Sequence, residues 1–178
     1  MKYCLIIGIF FLESFAGFSQ DKTARIAEIK KMYAEVNELS LKKKDCISGK
    51  KTEFDSFDEA GEKIPFDQNA EKCKLGNNYV TISASLNGYE WNSNVSYYYK
   101  NDKLFFVFIS NGAEACMVEY RIYLDENQKI IKLLEKSNDC DGGDLKNNNE
   151  ITDTKEFEET MQLIEQNKIK IDEILSSK

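Results

Sequence analysis

The sequence predicts an α+β domain with an N-terminal helix, about five antiparallel strands in a meander, and a C-terminal helix. Segments with helical apolar spacing lie towards both ends of the chain, and β-rich segments separated by short polar turns fill the middle. Short connections without crossover helices favour antiparallel pairing of neighbouring strands. We expect both helices to cover one face of this sheet, as is common in α+β domains.

Residues 1–19 have the pattern of a secretion signal, with Lys2, an apolar run over 3–12 and the small-x-small site Gly17-Phe18-Ser19. Cleavage after Ser19 would leave one secreted domain over residues 20–178, in the periplasm or outside the cell. The apolar run is shorter than the roughly 20 residues of a membrane span, and no later segment qualifies. An uncleaved N-terminal anchor is the alternative.

Residues 21–41 show the first helical pattern, whose apolar stripe we expect to pack on the sheet. The stripe contains Ile26, Ile29, Met32, Tyr33, Val36 and Leu39. The following residues 45–75 are charged and irregular. They favour either a short edge strand at 53–57 or a loop tied down by its cysteines.

The central element is a predicted hairpin, YYYKNDKLFFVFI over residues 97–109. Asn101-Asp102 suits the positive φ angles of a two-residue turn. With that turn, paired residue numbers sum to 203, so Tyr97 and Val95 would lie opposite Phe106 and Phe108. The second strand is apolar on both faces, which predicts a central, doubly covered position.

Four further elements complete the predicted order. The segment YVTISASL starting at Tyr79 is β-rich, and residues 116–124 and 129–135 alternate as a second hairpin with paired numbers summing to 253. Residues 138–149 form a polar loop. Asp153, with Glu156 three residues on, resembles a capping box and opens the last helix. The apolar stripe of that helix is Phe157, Met161, Ile164, Ile171 and Leu175.

Four cysteines follow the predicted signal, an even number that points to two disulfides in an exported chain. Three connectivities are open from the count alone. The predicted second hairpin places Cys116 opposite Ser137 and near Cys140, which leaves Cys46 to Cys73. A zinc site is the alternative, but the chain lacks histidine and CxxC pairs.

The formal net charge of −7 opposes binding to nucleic acid or anionic membranes. A basic protein partner or a cation would be compatible with it. The charge also serves the solubility of a secreted domain.

Three stretches resemble those of uncharacterised small exported bacterial proteins: YYYKNDKLFFVF, EYRIYLDENQKIIKLL and, ahead of them, IKKMYAEVN. The resemblance spans much of the chain after the signal. It implies secretion from a Gram-negative bacterium and carries no activity.

The absence of histidine removes Ser-His-Asp and Cys-His catalysis and histidine-based metal sites. The chain also lacks GxSxG, SxxK and a phosphate-binding glycine loop. We therefore expect a protein that is not an enzyme. A hydrolase using two carboxylates is an alternative, although no spacing singles out a pair.

Residues 139–150, DCDGGDLKNNNE, partly match a calcium loop. Asp139, Asp141 and Glu150 fall at its positions 1, 3 and 12. Position 6 is Asp144 instead of glycine, so a hydrated loop beside a disulfide is the preferred interpretation, and no cofactor is expected beyond this weak calcium candidate.

Candidate binding residues are the aromatics Tyr89, Trp91, Tyr98 and Phe105, since tyrosine and tryptophan are enriched in binding hot spots. They would line a groove for a protein or a small apolar ligand, or else belong to the core under the first helix. The sequence thus favours a non-enzymatic binding domain. An inhibitor or immunity protein that docks a cationic enzyme is the second hypothesis.

Overall fold

The computed structural model describes residues 7–42, 45–138, 140 and 142–177, with side chains from residue 21 onward except 55, 147 and 148. Its elements, in order, are α1 (Ile7–Ser40), β1 (Asp45–Phe57), β2 (Lys63–Lys74), β3 (Tyr79–Asn87), β4 (Trp91–Lys100), β5 (Lys103–Ala113), β6 (Cys116–Leu124), β7 (Ile130–Ser137), β8 (Lys146–Ile151) and α2 (Thr154–Ser176).

The described strands form one antiparallel sheet in chain order, β1 to β8. The predicted α+β class, the meander and the two helices are therefore confirmed. The predicted count of five strands is wrong, because β1, β2 and β8 also join the sheet. These three strands are rich in charged and amide side chains, so they lack the apolar alternation that marks the other five.

The two helices lie on opposite faces of the sheet, which corrects the expectation that both cover one face. Ile29, Met32 and Val36 of α1 pack in one buried cluster with Phe105 and Phe106. A second cluster holds the buried isoleucines of α2 against the inner side chains of β3 to β7. Two faces are covered because β4 to β7 carry apolar residues at both odd and even positions.

Helix α1 confirms the predicted apolar stripe, since Ile29, Met32 and Val36 are buried. Each such side chain contributes about 1.5–3 kcal/mol by leaving water. The described part of the helix starts at Ile7, inside the predicted signal. Signal cleavage itself stays a prediction.

Helix α2 begins as predicted, with the Asp153 side chain accepting a hydrogen bond from the backbone N–H of Lys155. Ile164 and Ile171 are buried as expected, and Ile174 joins them. At the other end of the helix, the C-terminal turn lies directly on β1 at Gly49, where only a hydrogen fits in place of a side chain.

The central hairpin is confirmed at its turn, where Asn101 and Asp102 have φ angles of 49° and 62°. Its predicted register is wrong beyond that turn. Tyr99 lies opposite Leu104 as expected, but Tyr98 lies opposite Phe106.

The cause is a β-bulge in which Phe105 is the extra residue. It places Phe105 and Phe106 together on the α1 side, whereas Leu104 and Val107 both face α2. Tyr97 therefore pairs with Val107, and Val95 with Ile109. The predicted central, doubly covered position of β5 is confirmed.

Both predicted disulfides, Cys46–Cys73 and Cys116–Cys140, are present. The register used to infer the second is off by two. At the turn Leu124 pairs with Ile130 instead of Lys129, and a bulge between Tyr123 and Leu124 adds one more residue, which places Ser137 opposite Val118. Cys46 and Cys73 lie directly opposite each other in the β1–β2 hairpin. The stretch predicted as an edge strand or a loop is thus the longest hairpin of the sheet.

The β1–β2 turn is built from local hydrogen bonds to Asp58. Its Oδ1 accepts from the backbone N–H groups of Ala60 and Glu62, and Gly61 takes a φ of 81°. Such a carboxylate-centred turn allows two polar strands to pair. Within the described part of the chain, neither helix is both long and apolar enough to cross a bilayer.

Candidate functional site

The predicted aromatic residues divide into two places. Tyr98 and Phe105 lie under α1, where Phe105 is 1% exposed and Tyr98 packs against Tyr33 with ring centroids 5.1 Å apart. Burial, and then proximity to Tyr33, raises the pKa of Tyr98 to about 12. For Tyr98 and Phe105 the second predicted alternative, a place in the core under α1, is therefore confirmed, and the four aromatics do not form one exposed groove.

Trp91 and Tyr89 lie at the opposite end of β4 and remain exposed, Trp91 by 41%. Trp91 stands at the mouth of a groove of about 710 Å³ between α2 and the ends of β4 to β7. Ligand pockets are commonly about 300–1,000 Å³ and mostly apolar. The described lining includes Leu86, Trp91, Ala113, Met117, Val118, Tyr120 and Leu163.

The groove exists because inner-face side chains shorten towards this end of the sheet. On β4, Tyr97 and Val95 fill the space under α2, but Ser93 follows them. On β5, Ile109 is followed on the same face by Asn111 and Ala113. The short side chains do not reach the helix, so a gap opens beside the packed core.

The other wall of the groove is formed by α2, through a side of the helix different from the one that packs in the core. Its buried isoleucines point into the core, whereas Leu163, Asn167 and Lys170 line the groove at a spacing of four and then three residues. Sequence reasoning missed these three residues. The available signal was Leu163, an apolar residue next to the predicted stripe.

A cation closes one rim of the groove. The Lys170 Nζ lies 5.8 Å from the centre of the Trp91 ring and 2.8 Å from the Glu53 Oε2 on β1. The hydrogen bond from Lys170 is the largest of the effects that lower the pKa of Glu53. Glu53 also pairs with Lys51 at 3.2 Å, and Lys51 pairs with Glu173 at 2.9 Å. The rim therefore presents an aromatic ring beside a network of two lysines and two glutamates with no net charge.

Ser93 and Asn111 are among the polar residues on the sheet wall of the groove. The Ser93 hydroxyl donates a 2.7 Å hydrogen bond to the Asn111 Oδ1 and so orients that amide. Such fixed polar groups in an apolar setting give a ligand its orientation.

The far end of the groove is held by Asn138 and the Cys116–Cys140 disulfide. Buried Asn138 accepts from the backbone N–H of Met117 at 2.8 Å and donates to the Ala115 carbonyl at 2.7 Å. Its Oδ1 also accepts from the Cys140 N–H. One amide thus positions the strand end and the disulfide that it carries.

The described lining of the groove offers little acid–base chemistry. Lys170 and Tyr120 are its titratable side chains, and burial raises the pKa of Tyr120. Neither an aspartate nor a glutamate is among these lining residues. The described lining can bind and orient a molecule, and among its residues no general acid lies opposite a general base.

A larger depression of about 790 Å³ runs across β1 to β4. Ser83, Ser85, Asn94 and Ser96 contribute to its lining. The charged residues Lys50 and Glu71 also line it, and the apolar share of its surface is smaller than in the α2 groove, so we favour the α2 groove as the ligand site.

The predicted calcium loop gains no support. Asp139 and Asp141 lie outside the described residues. Glu150 lies in β8, where its carboxylate forms ion pairs with Lys132 at 3.0 Å and Lys22 at 3.8 Å. Cys46, Glu71 and Cys73 also lie close together, but both sulfurs are in a disulfide and supply no thiolate ligand.

Comparison of the chain with protein-family models, curated protein sequences and solved structures finds no match.

Proposed function

We propose that this protein is a non-enzymatic binding protein that holds a small apolar or aromatic molecule in the groove between α2 and β4 to β7. The observation that carries the proposal is the groove itself, whose size, apolar walls and oriented amide match a ligand pocket. Trp91 at its mouth provides a flat apolar surface for an aromatic ligand.

The charge pattern narrows the ligand class. Lys170 is engaged by Glu53, and the remaining polar lining is made of hydroxyl and amide groups. A neutral ligand with one hydrogen-bonding end fits this lining better than a strongly ionic one. The two disulfides support a location in an oxidising compartment, the periplasm or the cell exterior.

The two other hypotheses have less support. A carboxylate-pair hydrolase needs two facing acids in a concave pocket, and the described lining of this groove holds none. The hypothesis that the protein docks a cationic enzyme is supported only by the net charge of −7. Both stay predictions.

A titration with the neutral dye Nile red tests the proposal. Trp91 is the sole tryptophan of the chain, so its fluorescence reports occupancy of the groove mouth directly. We expect saturable dye binding to the folded protein, with quenching of Trp91.

The variant Leu163→Glu introduces a carboxylate into the groove and should weaken dye binding by about tenfold or more. The matched control is Ile169→Glu, because Ile169 is an exposed residue of the same helix that does not line the groove. Equal weakening by both variants, or dye binding that leaves Trp91 fluorescence unchanged, would refute the proposal.

A further inference from the structure

Several polar side chains of the α2 groove already have partners within the protein. The Asn138 amide is hydrogen-bonded to backbone groups through both its oxygen and its nitrogen, and Lys170 is paired with Glu53. Polar groups in an apolar setting are generally paired, so a group that has no partner indicates what a ligand has to supply.

Asn167, on the helix wall, is engaged with the core beneath the groove. The Tyr97 hydroxyl donates a 3.2 Å hydrogen bond to the Ile164 carbonyl, so the hydroxyl oxygen is left to accept. Burial is the largest of the effects that raise the pKa of Tyr97, and the hydrogen bond with the Asn167 side chain opposes this rise, as expected when an amide N–H donates to the oxygen. The amino group of Asn167 is therefore turned towards Tyr97.

Asn111, on the sheet wall, differs from these residues. The bond between its Oδ1 and the Ser93 hydroxyl is 2.7 Å long, which is typical of an O–H donor and short for an N–H donor. This bond fixes the orientation of the amide and turns the Nδ2 amino group away from Ser93. Among the described residues, none accepts a hydrogen bond from this amino group. Asn92 also lines the groove, but it is exposed and can bind water.

A ligand in the groove can reach the Asn111 amino group. Asn111 is half-buried, and its nitrogen is not among the fully enclosed polar atoms that lack a partner. Ser93 lies opposite Asn111 and two residues beyond Trp91 on the same face of β4. Two residues of a strand span about 7 Å, so a pair of fused rings lying on Trp91 would bring an attached acceptor close to Asn111.

We propose that the ligand of this groove is a neutral aromatic molecule with a carbonyl group, whose oxygen accepts a hydrogen bond from the Asn111 Nδ2 while Ser93 holds the amide in that orientation. The inference rests on the proposed function, because it concerns the same site. A carbonyl oxygen has two lone pairs and no proton, so it matches an amino group whose own carbonyl is already engaged. A carboxylate would also accept, but it would lose its hydration in an apolar groove where Lys170 is already paired with Glu53.

Competition against Nile red with two matched probes tests the assignment. The first probe is 2-acetylnaphthalene, and the second is 2-isopropenylnaphthalene, in which a methylene group of nearly the same shape replaces the carbonyl oxygen. The ratio of ketone affinity to alkene affinity is compared between the parent protein and Asn111→Leu, so that the greater apolarity of the alkene cancels. We expect this ratio to fall about tenfold in the variant, because the ketone loses its donor. Asn111→Asp keeps the size of the side chain and removes the amino group, so it should lower the ratio at least as much.

The matched control is Asn94→Leu, because Asn94 is an exposed asparagine of β4 whose side chain points to the other face of the sheet. This control should keep the parent ratio. Infrared spectra give a second measurement: the carbonyl stretch of bound ketone should lie at lower frequency in the parent than in Asn111→Leu, since a hydrogen bond weakens the C=O bond.

The outcomes separate the two proposals. Absence of saturable Nile red binding would refute the proposed function and this inference with it. Dye binding together with an equal probe ratio in the parent and in both Asn111 variants, or with an unshifted carbonyl stretch, would overturn this inference alone. A ratio that falls equally in Asn94→Leu would also overturn it.

Discussion

Replacing Gly49 by alanine should destabilise the protein through a single added methyl group. A Cβ at this position would lie 2.0 Å from the Ile174 carbonyl oxygen and 2.8 Å from the Leu175 Cα. Both are backbone atoms of α2, so no side-chain rotation can relieve the overlap. Either β1 or the last turn of α2 has to move.

The size of that movement sets the expected cost. Ordinary contact begins at 3.4 Å, so the overlap with the Ile174 oxygen needs about 1.4 Å of displacement. Displacement on this scale disturbs the packing of Ile171 and Ile174, which are both buried. Overpacking typically costs about 1–3 kcal/mol, and because the overlapping atoms are backbone on both sides we expect about 3 kcal/mol here. The lower entropy of the unfolded alanine chain offsets about 0.4–1 kcal/mol of this, which leaves a net loss of about 2 kcal/mol.

Urea unfolding followed by Trp91 fluorescence measures the difference in free energy of unfolding between the variant and the parent. In a thermal melt, the melting temperature should fall by about 2–4 °C for each kcal/mol lost. Gly76→Ala is the matched control, because its Cβ would meet only the Leu39 Cδ2 at an ordinary 3.5 Å. This control should be as stable as the parent protein or slightly more so. A Gly49→Ala variant that equals the parent would refute the close approach of α2 to β1.

Three further outcomes are expected. Phe105→Ala should lower the free energy of unfolding by about 3–5 kcal/mol, measured by urea titration, because the ring is buried under α1; a loss below about 1 kcal/mol would contradict that burial. Hydrogen bonds from Asn77, and then from Tyr79, lower the pKa of Glu35 in the folded protein. The ionised carboxylate therefore stabilises the fold at any pH above the unfolded pKa of Glu35, and this stabilisation is lost as the pH falls through the lower pKa of the folded state. Melting temperatures between pH 7 and pH 3 should therefore fall less steeply for Glu35→Gln than for the parent, while the exposed control Glu38→Gln follows the parent. Replacing Cys116 and Cys140 by serine should cost about 3 kcal/mol, given the sequence separation of 24, and an unchanged melting temperature would show that the bridge adds nothing.

The parts of the fold that could be predicted are those whose sequence carries local chemistry. Asn101-Asp102 specifies its turn because both residues tolerate positive φ, and Asp153 specifies the start of α2 through its side chain. The stripe of α1 follows from helical spacing alone. In each case the determining residues are neighbours in the chain.

The predictions of register and strand number were wrong where the order of polar and apolar residues does not determine the structure. Residues 104–109 are apolar throughout, so no polar residue marks which face is which, and the bulge at Phe105 leaves no trace in the sequence. β1 and β2 carry charges on both faces because only part of each is covered. Their pairing is set by the Asp58 turn and the Cys46–Cys73 bridge, and not by apolar alternation.

Only part of the lining of the candidate groove could be predicted from the sequence. Trp91 was singled out by residue type, but Leu163, Asn167 and Lys170 line the site only because α2 crosses the sheet at one particular place. That placement depends on packing between residues far apart in sequence. For Phe105, of the two predicted alternatives, the core position under α1 is the one observed.

Every pair of adjacent described strands is also consecutive in the chain. Native contacts therefore form between segments separated by short loops, which keeps the relative contact order low for a protein rich in β-structure. Once the Asn101-Asp102 hairpin has formed, each further strand can add to an existing edge without first closing a long loop. We expect such a chain to fold quickly for its strand content, growing outward from the middle of the sheet in both directions.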